Sequence, residues 1–245
     1  MLFPPLITAH RGASHDAPEN TLAALRLGFA QGADAGECDV RLTGDGRVVL
    51  LHDEDTRRVA GTRLVAARHA LESLRRLDVG AWKGAAYAGE RIATLEEAVA
   101  IVPAGRRLII EIKCGAEILP EIGRVIADSG RPRTSFVLMS FDFAVAVEAK
   151  RRFGDIEAHW VVERERTSPV VLAARAREGG LDGLNLDRRF PIDRAFAAAV
   201  REAGLRLHVW TVDDLARAAE LADAGVDSIT TNRPGWLRER LAGRG

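Results

Sequence analysis

From Leu6 to Thr231, short runs of branched and apolar residues alternate with helical segments of about three to four turns, and the alternation repeats eight times. Such strict βαβα order predicts a parallel sheet with helices laid against it, which leaves few folds open. Strands are predicted at Leu6 to His10, Asp34 to Arg41, Arg107 to Lys113, Thr134 to Ser140, Glu157 to Val161, Gly183 to Asp187, Leu205 to Thr211 and Ser228 to Thr231. Helices are predicted around Asn20 to Ala30, Leu95 to Ile101, Ala116 to Ser129, Phe143 to Phe153, Pro169 to Glu178, Ile192 to Glu202, Asp214 to Ala224 and Gly235 to Leu241. Thr94 before Leu95-Glu96-Glu97, and Thr211-Val212-Asp213-Asp214 before Leu215, have the form of helix starts, while Gly32, Gly130, Gly204 and Gly225 mark stops. Eight strands and eight helices in order close into a (β/α)8 TIM-type barrel more naturally than they open into a doubly wound sheet. No Gly-x-Gly-x-x-Gly follows a strand to argue for dinucleotide binding.

The 245 residues match the roughly 250 of one such barrel, so a single domain over 1–245 is expected. One stretch breaks the rhythm. From Thr43 to Ala93 the chain makes a Gly44-Asp45-Gly46 turn, a short extra strand at Val48 to Leu51 and a polar, glycine-rich excursion, read as a small insertion after the second strand spanning about 53–93. Loops at that end of a barrel carry substrate contacts.

Formal charge balances at zero with a pI of about 7.0, which gives no excess to neutralise a polyphosphate backbone, so no nucleic-acid partner is expected. The segment Met1 to His10 has no basic leader, and no run approaches the ~18 apolar residues of a membrane span. These features predict a cytoplasmic protein without stable membrane association, and leave monomer and homodimer equally open. Cys38 and Cys114 fit neither a disulfide framework nor a zinc site, and alternation turns them toward the helices as small buried hydrophobes. Only Lys83, Lys113 and Lys150 are lysines against 32 arginines, so a lysine in a special place is there for its compact ammonium.

A barrel keeps its chemistry at the C-terminal ends of its strands. Strand one ends in His10-Arg11-Gly12, strand two carries Glu37 and Asp39, strand three ends in Glu111 and Lys113, and strand seven carries His208 and Trp210. Glu37 and Asp39 share a face by the period of two, as do Glu111 and Lys113. Three carboxylates in one partly dry mouth repel one another unless a cation compensates them, and all-oxygen ligation suits Mg²⁺, Ca²⁺ or Mn²⁺. The competing reading pairs these acids with rim arginines. Against it stands the cost of two charges inside the apolar run Ile109-Ile110-Glu111-Ile112-Lys113.

His10 and His52 are the candidate proton carriers, since an imidazole titrates near ~6.5. His15 is placed within reach of the mouth, His69 and His159 at the periphery, and His208 in an inner layer of the barrel. Arg11 and Lys113 offer positive charge for a phosphate group, although Lys113 has an internal salt bridge to Glu111 as its alternative. Trp210 offers an apolar, cation-attracting face, with core packing as the competing role.

The segments His10-Arg11-Gly12, Pro18-Glu19-Asn20-Thr21, Glu37-Cys38-Asp39-Val40-Arg41-Leu42-Thr43-x-Asp45-Gly46, His52-Asp53 and Glu111-Ile112-Lys113 together resemble the glycerophosphodiester phosphodiesterase family. Ser140-Phe141, Val209-Trp210-Thr211-Val212 and Thr231-Asn232-Arg233-Pro234 extend the resemblance over residues 8 to 234. It implies Glu37, Asp39 and Glu111 as ligands of one divalent cation, His10 and His52 as general acid and base, and Arg11 and Lys113 as phosphate clamps. Trp210 would line the glycerol side, with Glu19 and Asn20 supporting the first loop. The implied reaction takes a small glycerophosphodiester to glycerol 3-phosphate and an alcohol such as choline or ethanolamine, by attack of water or of the glycerol 2-hydroxyl. Cys38 replaces a larger aliphatic residue, Asn232 stands where an acid is frequent, and Ala35-Gly36 is smaller than the usual pair. Two rival readings are a lysophospholipase D or phospholipase C-like lipid phosphodiesterase, which the 5% aromatic content disfavours, and a phosphodiester-binding protein without turnover.

Overall fold

In the computed structural model, which describes residues 4–163 and 167–243, eight parallel strands close on themselves. They are β1 (Leu6–Ala9), β2 (Ala35–Leu42), β4 (Arg107–Ile112), β5 (Phe136–Ser140), β6 (Glu157–Val162), β7 (Gly183–Asp187), β8 (Arg206–Trp210) and β9 (Ser228–Thr231). The short β3 (Val48–Leu50) runs antiparallel along the end of β2, with Val40 opposite Leu50. Closure comes from β9 pairing with β1, Leu6 opposite Ser228 through Ala9 opposite Thr231, while Thr8 and Ala9 pair with Ala35 and Gly36 of β2. The first three residues of the segment read above for a leader lie outside the described residues.

Among the described residues the α-helices are α1 (Leu22–Ala30), α2 (Arg57–Ala60), α3 (Leu71–Arg75), α4 (Leu95–Ala100), α5 (Leu119–Asp128), α6 (Phe143–Arg152), α7 (Pro169–Glu178), α8 (Arg194–Glu202), α9 (Leu215–Ala224) and α10 (Pro234–Ala242). Local chemistry starts them. Thr94 and Glu97 form a reciprocal capping box at α4, and the side chains of Thr21, Asp142, Ser168, Asp193 and Asp214 cap α1, α6, α7, α8 and α9. Because Asp214 alone caps α9, Asp213 is released for another use. The fourth predicted strand starts late, at Phe136, because Arg133–Ser135 winds into a 3-10 turn.

Alternation sorts the strands as predicted. Cys38, Val40, Ile110 and Ile112 join Leu95, Ile118 and Ile122 in the apolar layer under the helices, and Cys114 packs partly buried against it. Ala35, Ile109, Val137, Met139 and Val161 fill the barrel's interior. The insertion has its own apolar cluster of Val49, Leu51, Val59, Leu74, Val79 and Ile92. Among the described residues no helix is long and apolar enough to cross a membrane.

The lower interior is polar. Thr8 and Ser228 share a 2.9 Å hydrogen bond, and the rings of His159 and His208 meet edge to face with centroids 4.6 Å apart. The peripheral position expected for His159 is therefore wrong: it is fully buried, because Gly183 on β7 leaves room against which its ring lies. His208 fills an inner layer as expected, and burial, with His159 beside it, pushes its pKa well below the ordinary 6.5. A histidine depressed in the folded state contributes fully above its unfolded pKa and loses that contribution as pH falls from there toward the folded value. Acidification below pH ~6.5 is thus expected to destabilise the parent. In His208→Asn the fall in Tm between pH 7.5 and pH 5 should be smaller by the equivalent of about 1–2 kcal/mol. Parallel Tm–pH curves for the two proteins would remove His208 from the acid response.

Candidate active site

The loop after β1 sets the mouth. Arg11 and Gly12 both take left-handed backbone, φ 55° and 81°, and a Cβ on Gly12 would lie 2.3 Å from the main-chain carbon of Ala24, so only glycine lets the loop rest on α1. This turn aims the Arg11 N–H at Glu37 Oε2, 2.7 Å away. Arg11 Nε lies 2.9 Å from Asp39 Oδ2 and its Nη1 2.9 Å from Glu19 Oε1. Asn20, also left-handed at φ 56°, donates from Nδ2 to Asp39 Oδ2 at 2.8 Å and accepts from the Asp39 N–H at 3.0 Å. A short polar side chain tolerates that conformation and here locks Asp39 at two points.

Glu37, Asp39 and Glu111 are buried, and one carboxylate oxygen from each lies within 4.8 Å of the others. Glu37 Oε1 has no hydrogen-bond partner among the described residues. The Lys113 ammonium, carried one residue past β4, contacts Glu111 Oε1 and lies 3.3 Å from Asp39 Oδ1. The salt bridge weighed as an alternative role for Lys113 is thus present, but the ammonium serves two acids of the cluster. Burial, then Asp39 and Glu111, drive the Glu37 carboxyl well above the usual range; burial and Asp39 lift Glu111 to about 7. Burial pushes Asp39 up too, but Arg11 and Lys113 overturn it and hold Asp39 low. Three acids facing two cations, Arg11 and Lys113, of which Arg11 also serves Glu19, leave the charge balance unfinished, and oxygens this close fit a hard divalent ion.

His10 follows β1 directly, its N–H bonded to Thr231 O. Its Nδ1 is 2.7 Å from Asn232 Oδ1, which also accepts from Ser14 Oγ at 2.7 Å. Asp213, freed from capping, takes the Asn232 N–H at 2.8 Å and Nδ2 at 2.5 Å. A carboxylate accepts only, so the amide must turn its oxygen to His10; His10 then donates from Nδ1 and leaves Nε2 to the mouth. Burial and Arg11 push His10 down to about 4. His52 Nδ1 is 2.7 Å from Asp53 Oδ1, and its carbonyl is gripped by Arg41 at 2.9 and 3.0 Å. Burial lowers His52 as well, with Asp39 opposing. Arg58 of the insertion bonds Asp53 and both oxygens of Glu19, tying the two histidine loops together.

Trp210 is half-buried, donates from Nε1 to Asn185 O at 3.1 Å and meets Phe141 edge to face at 5.4 Å. Phe141, 40% exposed, has the Lys113 ammonium 5.1 Å from its ring centroid. All ten residues singled out from the sequence thus gather at one end of the barrel. Phe141, Asp213 and Arg58 were missed as site members. The Ser140-Phe141 pair after a strand was a usable signal for the first, whereas the other two reach the site only through folding. His15 reaches the mouth, lining a recess beside His10, and His69 stays outside, bonded to Val65 O. A larger cavity of about 520 Å³ opens at the opposite end, but its acids Glu157 and Asp227 are paired with Arg107 and Arg206, and no strand presents its C-terminal end there.

Fold and mouth together define a TIM-barrel protein with a buried acidic cluster at its mouth that could hold a cation, and two imidazoles oriented by hydrogen bonds at the same end. The chain belongs to the glycerophosphoryl diester phosphodiesterase family, whose model matches residues 10–236. It is 30% identical over 236 residues to the glycerophosphodiester phosphodiesterase of Caldanaerobacter subterraneus subsp. tengcongensis, covering 95% of this chain and 96% of that one. A phosphodiesterase of Oleispira antarctica, solved in complex with the product sn-glycerol-3-phosphate, is 29% identical and superposes with a TM-score of 0.90 over 98% of each chain. The glycerophosphodiester phosphodiesterase of Agrobacterium tumefaciens, 25% identical, gives a TM-score of 0.81 over 96% of this chain and 99% of that one.

Proposed function

We propose that this chain hydrolyses small glycerophosphodiesters to sn-glycerol-3-phosphate and an alcohol, with one divalent cation, Mg²⁺, Ca²⁺ or Mn²⁺, held by Glu37, Asp39 and Glu111. The observation that carries this reading is the buried acidic cluster, with Glu37 Oε1 lacking a partner and with Asp39 near enough to act electrostatically on both His10 and His52. Bound there, such an ion supplies Lewis-acid stabilisation of the negative charge that grows on the phosphoryl oxygens.

The protein's own groups do the rest. Arg11 and Lys113 add fixed positive charge where the phosphate sits, already aligned by their acid partners and so needing no reorganisation. His10 and His52 each have Nδ1 committed to an acceptor, which leaves Nε2 for the reacting oxygens: one takes the proton of the nucleophile and the other returns one to the leaving alkoxide. Glu19 and Asn20 hold Arg11 and Asp39 in register. Trp210 and Phe141 form the apolar wall against which the glycerol carbons lie.

Phosphorus NMR of a glycerophosphodiester tests the reading. The diester resonance should give way to a monoester, stop on chelation and resume when the divalent ion is returned. Turnover that survives chelation removes the cation, and a panel of head groups with no turnover removes the hydrolase.

A further inference from the structure

Beside His10, between the loop after β1 and the insertion, lies a recess of about 270 Å³. Lys83 of the insertion borders it, donating from Nζ to Ser14 O at 2.7 Å, and Tyr87 Oη adds a second latch to Asp16 O at 3.0 Å. The rest of the lining is polar, with Arg11, Ser14, His15 and Asn232. Its one acid, Glu19, is already neutralised by Arg11 and Arg58. Apart from the imidazoles of His10 and His15, no aromatic ring lines it; the exposed ring of neighbouring Trp82 already has Lys83 Nζ 5.6 Å from its centroid, and the Phe141–Trp210 wall is a separate surface with Lys113 over Phe141.

We propose that this recess is the subsite for the leaving alcohol and that Lys83 makes it select polyhydroxylated head groups over quaternary ammonium ones. This rests on the hydrolase reading above, in which the glycerol carbons lie on the aromatic wall and the other ester arm must leave on another side. A quaternary ammonium ion is recognised by aromatic faces and carries no N–H to donate. In this recess it meets no indole or phenyl face that is not already held by a lysine, no free carboxylate and the like charges of Lys83 and Arg11. A polyol instead finds acceptors and donors: the remaining protons of Lys83, the Ser14 hydroxyl and the imidazole of His15. The choice of lysine fits the site, because an ammonium held at one carbonyl keeps two protons for a guest, while the chain's usual arginine would present a wide fork.

The test compares kcat/KM for sn-glycero-3-phosphoinositol and sn-glycero-3-phosphocholine in the parent, Lys83→Met and Lys83→Glu. The parent should favour the inositol ester by about tenfold or more, and Lys83→Glu should move the ratio toward choline by about tenfold, as expected for reversing one charge a few ångströms from a fixed cation in a wet pocket. Lys83→Met should fall between. Folding of each variant is checked by its thermal transition, and because the methionine keeps the stem but, like glutamate, cannot donate to Ser14 O, it separates loss of the latch from reversal of the charge. Equal efficiencies in the parent, or a ratio unmoved by either substitution while turnover persists, overturns the recess. Turnover of neither ester by the parent instead overturns the hydrolase reading itself.

Discussion

Glu37→Gln is expected to melt at a higher temperature than the parent in chelator, while losing roughly 10³-fold of its turnover. Both effects come from one cause. Glu37 is buried beside Asp39 and Glu111, and its carboxyl is displaced far upward by burial and by those two neighbours. A carboxyl raised in the folded state keeps its full contribution to stability below its unfolded pKa and loses it as pH rises toward and through the folded value. At pH 8 the ionised cluster therefore works against folding, and glutamine, which still accepts the Arg11 N–H, removes that cost. The gain should be about 1–2 kcal/mol, or roughly 3–6 °C, and should shrink toward pH ~4.5. With a divalent ion present the order reverses, because binding stabilises only the protein with the complete cradle. Differential scanning fluorimetry in chelator and in millimolar Mg²⁺, Ca²⁺ or Mn²⁺ checks both halves. A variant no more stable than the parent in chelator, yet equally stabilised by the ion, would show that these acids are not the cradle.

The second large effect separates the two imidazoles. His10→Ala and His52→Ala are each expected to reduce kcat by 10²–10⁴-fold on natural esters, the usual range for removing a proton carrier. A nitrophenyl ester of glycerol phosphate has a leaving group that needs no proton. Only the variant that lost the general acid should recover on it. Whichever variant regains most of its loss marks the general acid, and a leaving alcohol held in the recess adjoining His10 would lie on the His10 side. Recovery of both variants would mean that neither imidazole acts on the nucleophile; recovery of His52→Ala alone would place the leaving group on the other side.

Much of this site could be read from residue order because strand parity is a rigid rule. Glu37 and Asp39 cannot face opposite ways, nor can Glu111 and Lys113, and apolar partners at Cys38 and Ile112 fix which way is inward. What could not be read was anything set by approach of distant segments. Asp213 looked like part of a helix start, and only the capping of α9 by Asp214 turns it into the support of Asn232. Arg58 is one arginine among 32, and its bridge between Asp53 and Glu19 depends on how the insertion folds back. His159 was misplaced because a histidine two residues into a strand next to a rim acid resembles a surface residue; the gap left by a glycine on the adjacent strand decides otherwise.

The pairing of β1 with β9 has a bearing on synthesis. His10 is made long before the amide and carboxylate that align it, which are contributed at positions 232 and 213. A growing chain that has not yet reached Asp213 already contains Glu37, Asp39 and Glu111 but lacks both groups that orient His10. With His10 as a proton carrier, competence is expected only once the last staves of the barrel dock, so that turnover would report that the ring is shut.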